Sequence, residues 1–214
     1  MSLELYFHPF ASYCQKVLIA LYENDIPFEP RLVDLGDEHS AAAFKKIWPI
    51  GKFPVLRDTA RDVVLPESSI IYEYLALHYP GKSELVPGDP ELALRARLGD
   101  RFFDLHFNDP MAKIVTDRIR PPGKNDPHGV ATARAQLDVA YGILEKDLKG
   151  KTWAIGSSFT MADCSAAPAL YYANLVSPFG EHRGVAAYFD RLMGRASFQR
   201  VLREAEPYLV NFPR

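Results

Sequence analysis

Apolar and polar positions alternate at the start of the chain. Leu3, Leu5 and Phe7 are separated by Glu4 and Tyr6, the period-two pattern of a half-buried strand. From Ala11 to Asn24 the period lengthens, with Cys14, Val17, Leu18 and Leu21 recurring at three and four, which predicts a helix. After the Asp25-Ile26-Pro27 break, Phe28 to Val33 reads as a second strand. Strand, helix and strand in so short a span argue for a right-handed parallel βαβ unit. A polar stretch from Asp34 to Ser40 leads into a short helix through Phe44. Pro49-Ile50-Gly51-Lys52-Phe53-Pro54 is a loop, Val55 to Arg57 and Val63 to Leu65 are strands, and Ile70, Ile71, Tyr74 and Leu75 mark a further helix. The order βαβαββα fits a small mixed sheet with helices packed on it.

The pattern breaks at Tyr79-Pro80-Gly81 and again at Pro87-Gly88-Asp89-Pro90. This predicts an α/β domain over residues 1–80, a linker over 81–90 and an all-helical domain over 91–214. Leu98, Phe102 and Leu105 form one helical stripe, Leu137, Tyr141, Leu144 and Leu148 a second, and Val185, Phe189 and Leu192 a third. Phe198, Val201 and Leu202 close the series, and Pro121-Pro122-Gly123 separates the first two helices. Thr160-Met161-Ala162-Asp163 offers a hydroxyl cap with a carboxylate three residues on, so a helix is expected to start at Met161.

With 214 residues the chain is long enough for one large or two small domains. Its 25 basic and 27 acidic residues leave a formal charge of −2, which gives no electrostatic footprint for nucleic acid or an anionic membrane. Before residue 80 there are 7 basic and 11 acidic residues, and after it 18 and 16, so neither half is polybasic. The start lacks the pattern of a signal peptide and no run is long and apolar enough to span a bilayer, so a cytoplasmic location is expected. Cys14 and Cys164 are the two cysteines and read as reduced thiols. The histidines at 8, 39, 78, 106, 128 and 182 show no spacing that puts two ligands on one helical face, and no metal is expected.

Two segments carry a resemblance. Gly51-Lys52-Phe53-Pro54-Val55-Leu56 followed by Leu65-Pro66-Glu67-Ser68-Ser69-Ile70 resembles the cis-proline loop and glutamate-serine pair of the cytosolic glutathione S-transferase family, and Gly156-Ser157-Ser158-Phe159-Thr160-Met161-Ala162-Asp163 resembles its capping signature. The likeness covers the whole chain and implies a thioredoxin-like first domain, an all-helical second domain, glutathione as co-substrate and a homodimer. A cis Phe53-Pro54 bond would leave the Phe53 main chain free to pair with a peptide ligand. Glu67 and Ser68 precede a helix, whose unpaired N–H groups favour a carboxylate while Glu67 holds an ammonium, and a γ-glutamyl group carries both. By resemblance, Lys52 faces the glycine carboxylate.

The sulfur would sit at the turn His8-Pro9-Phe10-Ala11-Ser12-Tyr13-Cys14. Lowering a thiol pKa by about two units needs roughly 2.7 kcal/mol, which a hydroxyl donor and a helix N-terminus can supply together. Ser12 is the first choice for that donor, with Tyr13 and Cys14 as alternatives. Family members with a serine here often carry it one place earlier, where this chain has Ala11. Ser12 also suits the cap of the first helix. The pocket for a small electrophile is expected between the halves, bounded by Phe10 and Tyr13 and by Phe103, His106 and Phe107. The implied reaction is attack of the glutathione thiolate on that electrophile. Two other readings are a transferase-fold protein that binds without catalysis and a thiol transferase acting through Cys14.

Overall fold

The computed structural model describes residues 2–213. Strand β1 (Leu3–Phe7) buries Leu3, Leu5 and Phe7 and leaves Glu4 and Tyr6 half-buried, as the alternation predicts. It lies inside a four-stranded sheet of order β2-β1-β3-β4, with β2 at Glu29–Leu32, β3 at Val55–Asp58 and β4 at Val63–Pro66. β1 and β2 are parallel, with Glu4 opposite Glu29 and Phe7 opposite Leu32, so helix α1 (Ser12–Glu23) is the crossover of a βαβ unit. β3 is antiparallel to both β1 and β4. Helices α2 (Glu38–Ile47) and α3 (Ser68–His78) complete the order read from the sequence.

The two faces of the sheet bury different sets. Leu3, Leu5, Phe7 and Leu56 join α1 and α3 in the main core, while Val33, Phe44 and Val55 pack with Tyr6 and Phe53 in a smaller core beside α2. Residues 79–89 lead to α4 (Pro90–Phe103), which a π-helical segment, Asp104–Asn108, joins to α5 (Asp109–Arg118). Then come α6 (Pro127–Asp147), α7 (Met161–Val176), α8 (Arg183–Met193) and α9 (Ala196–Ala205), ending in a 3₁₀ turn at Glu206–Asn211. Among the described residues no helix is long and apolar enough to cross a membrane.

Helix α7 is buried around nearly its whole circumference and packs against both α1 and α4. Small residues permit this. A Cβ added to Gly99 would lie 2.8 Å from Ala162 Cβ, so glycine lets α4 approach α7 closely. The start of α7 is fixed as expected: the Asp163 carboxylate accepts from the N–H groups of Thr160 (2.9 Å) and Ala154 (2.8 Å) and from the Tyr188 hydroxyl (2.6 Å). Because α1 also packs against α9, one continuous core runs from the sheet into the helical half.

One stripe points the other way. Leu98 is 69% exposed and Leu105 47%, while α4 buries Ala93, Ala96, Asp100 and Phe103. Two carboxylates, Asp100 and Asp104, occupy inward positions that an apolar count passes over, and the π segment carries one extra residue in its turn and so rotates every side chain beyond it.

Candidate active-site cleft between sheet and helices

The loop from α2 to β3 brings Lys52, Phe53 and Pro54 to the start of the interior strand β3, with the Phe53-Pro54 bond cis. Pairing of β3 with β1 begins at Val55 opposite Tyr6, so the Phe53 main chain lies outside the ladder. Between β4 and α3, Glu67 has φ +70°, a left-handed conformation that a non-glycine residue adopts at a cost of roughly 1–3 kcal/mol. The bend has a clear result. Glu67 takes the cap position of α3 without a side-chain capping bond, and its carbonyl accepts from the N–H groups of Ile70 and Ile71, each at 3.0 Å. The N–H groups of Ser68 and Ser69 come earlier in the turn and have no intrahelical carbonyl to reach. Lys52, Phe53, Pro54, Glu67 and Ser68 all line one cleft of about 300 Å³, the size of a small-molecule site.

The opposite wall is Tyr13 from α1 with Arg101, Asp104 and Asp109 from the helical half; Trp48 and Ile50 also line it. Tyr13 Oη donates to Asp109 Oδ1 at 3.5 Å. Burial, reinforced by the charges of Asp104 and Asp109, pushes the Tyr13 phenol above its ordinary pKa, so it is an O–H donor at neutral pH. Burial also raises the Asp104 carboxyl despite the pull of Lys16, and Arg101 Nη1 lies 3.0 Å from Asp104 Oδ2. Sequence reasoning missed this acidic wall. Asp100 and Asp104, one helical turn apart with Arg101 between them, were the available signal.

The candidates for the sulfur part company. Ala11, with φ −84° and ψ 122°, holds the cap position of α1, so Ser12 is the first helical residue and its hydroxyl is not used as the cap. The first N–H of the helix to find a carbonyl is that of Cys14, 2.9 Å from Ala11 O, which leaves those of Ser12 and Tyr13 without an intrahelical partner. Ser12 is half-buried and lies outside the cleft lining, whereas Tyr13 is part of it. Cys14 is fully buried and burial pushes its thiol up, which removes it as a nucleophile.

Other expected pocket residues lie elsewhere. Phe103 and Phe107 are 1% and 0% exposed and pack on one another at a tilt in the core. They belong to the core and line no part of the cleft: Phe103 continues the inward row Ala96 and Asp100 of α4, and Phe107 is buried within the π segment. His106 faces outward and lines a separate groove of about 660 Å³ with Phe102, Leu105 and Lys113 on one side and Val139 and Ile143 of α6 on the other. Phe10 packs edge-on against Tyr172 and Phe212, which places it under the C-terminal segment and outside the cleft lining.

Residues 5–83 match the glutathione S-transferase N-terminal domain, and residues 126–191 match the glutathione S-transferase C-terminal domain. Glutathione S-transferase theta-1 of Homo sapiens is 33% identical over 174 residues, covering 78% of this chain and 71% of the relative. Glutathione S-transferase GstB of Escherichia coli is 29% identical over 192 residues, covering 88% and 91%. A glutathione S-transferase from Methylobacillus flagellatus, solved with glutathione bound, aligns with a TM-score of 0.84 at 25% identity over 94% of this chain and 98% of that one. One from Methylobacterium radiotolerans in complex with glutathione sulfonate aligns with a TM-score of 0.81 at 27% identity over 93% of each. The sheet half and the helical half thus have one set of relatives in sequence and in structure, and the chain belongs to the glutathione S-transferase family.

Proposed function

We propose that the protein is a glutathione transferase that binds glutathione along the sheet side of the cleft and transfers its thiolate to a small hydrophobic electrophile. The observation that carries this reading is the turn at Glu67, where the first N–H groups of α3 have no intrahelical partner and Glu67 and Ser68 share one cleft with Lys52 and Phe53. In this assignment the Ser68 and Ser69 N–H groups take the γ-glutamyl carboxylate and Glu67 takes its ammonium. Phe53 pairs with the middle of the tripeptide, and Lys52 faces the glycine carboxylate.

Thiolate stabilisation is assigned to the Ser12 hydroxyl with the first N–H groups of α1. Tyr13 is the second reading, favoured by its place in the cleft lining and its retained proton. Rate enhancement comes from holding the thiolate next to the electrophile. We further assign the protein to the cytoplasm as a homodimer. The outward stripe of α4 and the groove beside α6 support the dimer. Leu98 and Val139 stand 69% and 62% exposed there, and an apolar face of that kind suits a second copy.

Calorimetry with glutathione tests the site. Glu67→Ala is expected to weaken binding by about 2 kcal/mol, the loss of one partner of a desolvated charge pair. An unchanged dissociation constant in a folded variant sinks the assignment. Turnover of a halide, epoxide, peroxide or isomerisable substrate separates an enzyme from a protein that only binds glutathione.

A further inference from the structure

Lys16, one turn beyond Tyr13 on α1, has no exposed surface. Burying an ammonium costs several kcal/mol unless it is paired. Its Nζ lies 2.8 Å from Asp100 Oδ1 and 2.7 Å from Asp104 Oδ1, both acids being almost fully buried. The rings of Tyr13 and Tyr72 flank it at 5.4 and 5.7 Å. Asp100 in turn accepts from Ser69 Oγ and Ser165 Oγ, each at 2.5 Å, and Asp104 accepts from Arg101. Lys16 and Arg101 balance the two carboxylates, so the group is closed in charge.

A buried ion cluster is by itself weak grounds for stability, since well-packed apolar residues often do as well. What distinguishes this cluster is where its ends lie. Through Asp100 and Ser69 it reaches the first turn of α3, where Ser69 adjoins the cleft residues Glu67 and Ser68. Through Asp104 and Arg101 it reaches the helical wall. The Lys16 ammonium bridges both carboxylates.

We propose that Lys16 is a positioning residue for glutathione: by clamping Asp100 and Asp104 together, it holds the α3 turn against the helical wall at the separation the γ-glutamyl end requires. The proposal rests on the glutathione reading above, and the test separates the two. Glutathione dissociation constants are measured by calorimetry for wild type, Lys16→Met, Ser69→Ala and the double variant, with steady-state kinetics alongside. Lys16→Met is expected to raise the dissociation constant about tenfold or more, and to raise KM for glutathione while leaving kcat at saturation within about threefold. Ser69→Ala acts on the same chain of contacts, so the double variant is expected to bind no more weakly than the worse single one.

Fold-changes that multiply, or a folded Lys16→Met that binds like wild type, overturn the proposal and leave the glutathione reading standing. Absence of glutathione binding in wild type overturns that reading first. If Lys16→Met does not fold, Ser69→Ala, at a half-buried position, decides alone: an unchanged dissociation constant overturns the proposal.

Discussion

Ser12, Tyr13 and Cys14 are consecutive, yet each meets different surroundings: a half-buried helix start, a cleft wall and a sealed core. Thiolate absorbance of bound glutathione, titrated in Ser12→Ala, Tyr13→Phe and Cys14→Ala, is expected to shift upward by about one pH unit or more, about 1.4 kcal/mol, in the Ser12 variant. If only Tyr13→Phe shifts, the role passes to the phenol, and if none does, the backbone N–H groups suffice. Asp58 offers a second single-residue test. Burial alone would raise its carboxyl, but bonds from Tyr79, Tyr74, the Ala60 N–H and Arg61 outweigh that and bring it down to about 2. A depressed carboxyl gives its full stabilisation above the unfolded pKa of about 4 and loses it as pH falls toward 2. Urea unfolding across that window is expected to show a shallower acid limb for Asp58→Asn than for wild type, and parallel limbs would remove Asp58 as its cause. The cleft residues Lys52, Phe53, Glu67 and Ser68 were legible because they stand in contiguous segments that carry the family resemblance, whereas loop and helix cap alone would have marked only a turn. Arg101, Asp104 and Asp109 were not, because a polar residue on an amphipathic helix reads as solvent-facing until its neighbours in space are known.

At the scale of elements, legibility followed local bonding. The start of α7 was read correctly because its cap is spelled within four residues, Thr160 to Asp163. Those bonds also set its worth. Asp163→Ala strips a buried carboxylate from two backbone N–H groups and the Tyr188 hydroxyl, and is expected to cost about 3 kcal/mol or more in urea unfolding. A loss below about 1 kcal/mol would mean that water replaces the carboxylate. The outward turn of α4 was hidden for the opposite reason. Nothing within the helix says that Asp100 will be neutralised by Lys16, more than eighty positions earlier in the chain.

For the whole molecule, the sheet half and helical half share a core through α1 and α7, so the cleft walls move together only as far as that core allows. The exposed apolar stripe is the feature that a monomer leaves unexplained. Sedimentation at micromolar concentration is expected to give a dimer for wild type and a monomer for Leu98→Glu with Val139→Glu, both with the same far-ultraviolet circular dichroism. A monomeric wild type would leave the stripe without a partner copy. The segment at Asp104–Asn108 reaches further than its size suggests. The Asp109 N–H bonds back to the Asp104 carbonyl, five residues earlier, and both carboxylates line the cleft. On a regular helix, at about 100° per residue, five positions separate side chains by about 140°, so one acid would turn away. The chemistry offered to a second substrate is therefore written in the reading frame of the helix: adding or deleting one residue here would exchange an acidic wall for a different face, a change no substitution could make.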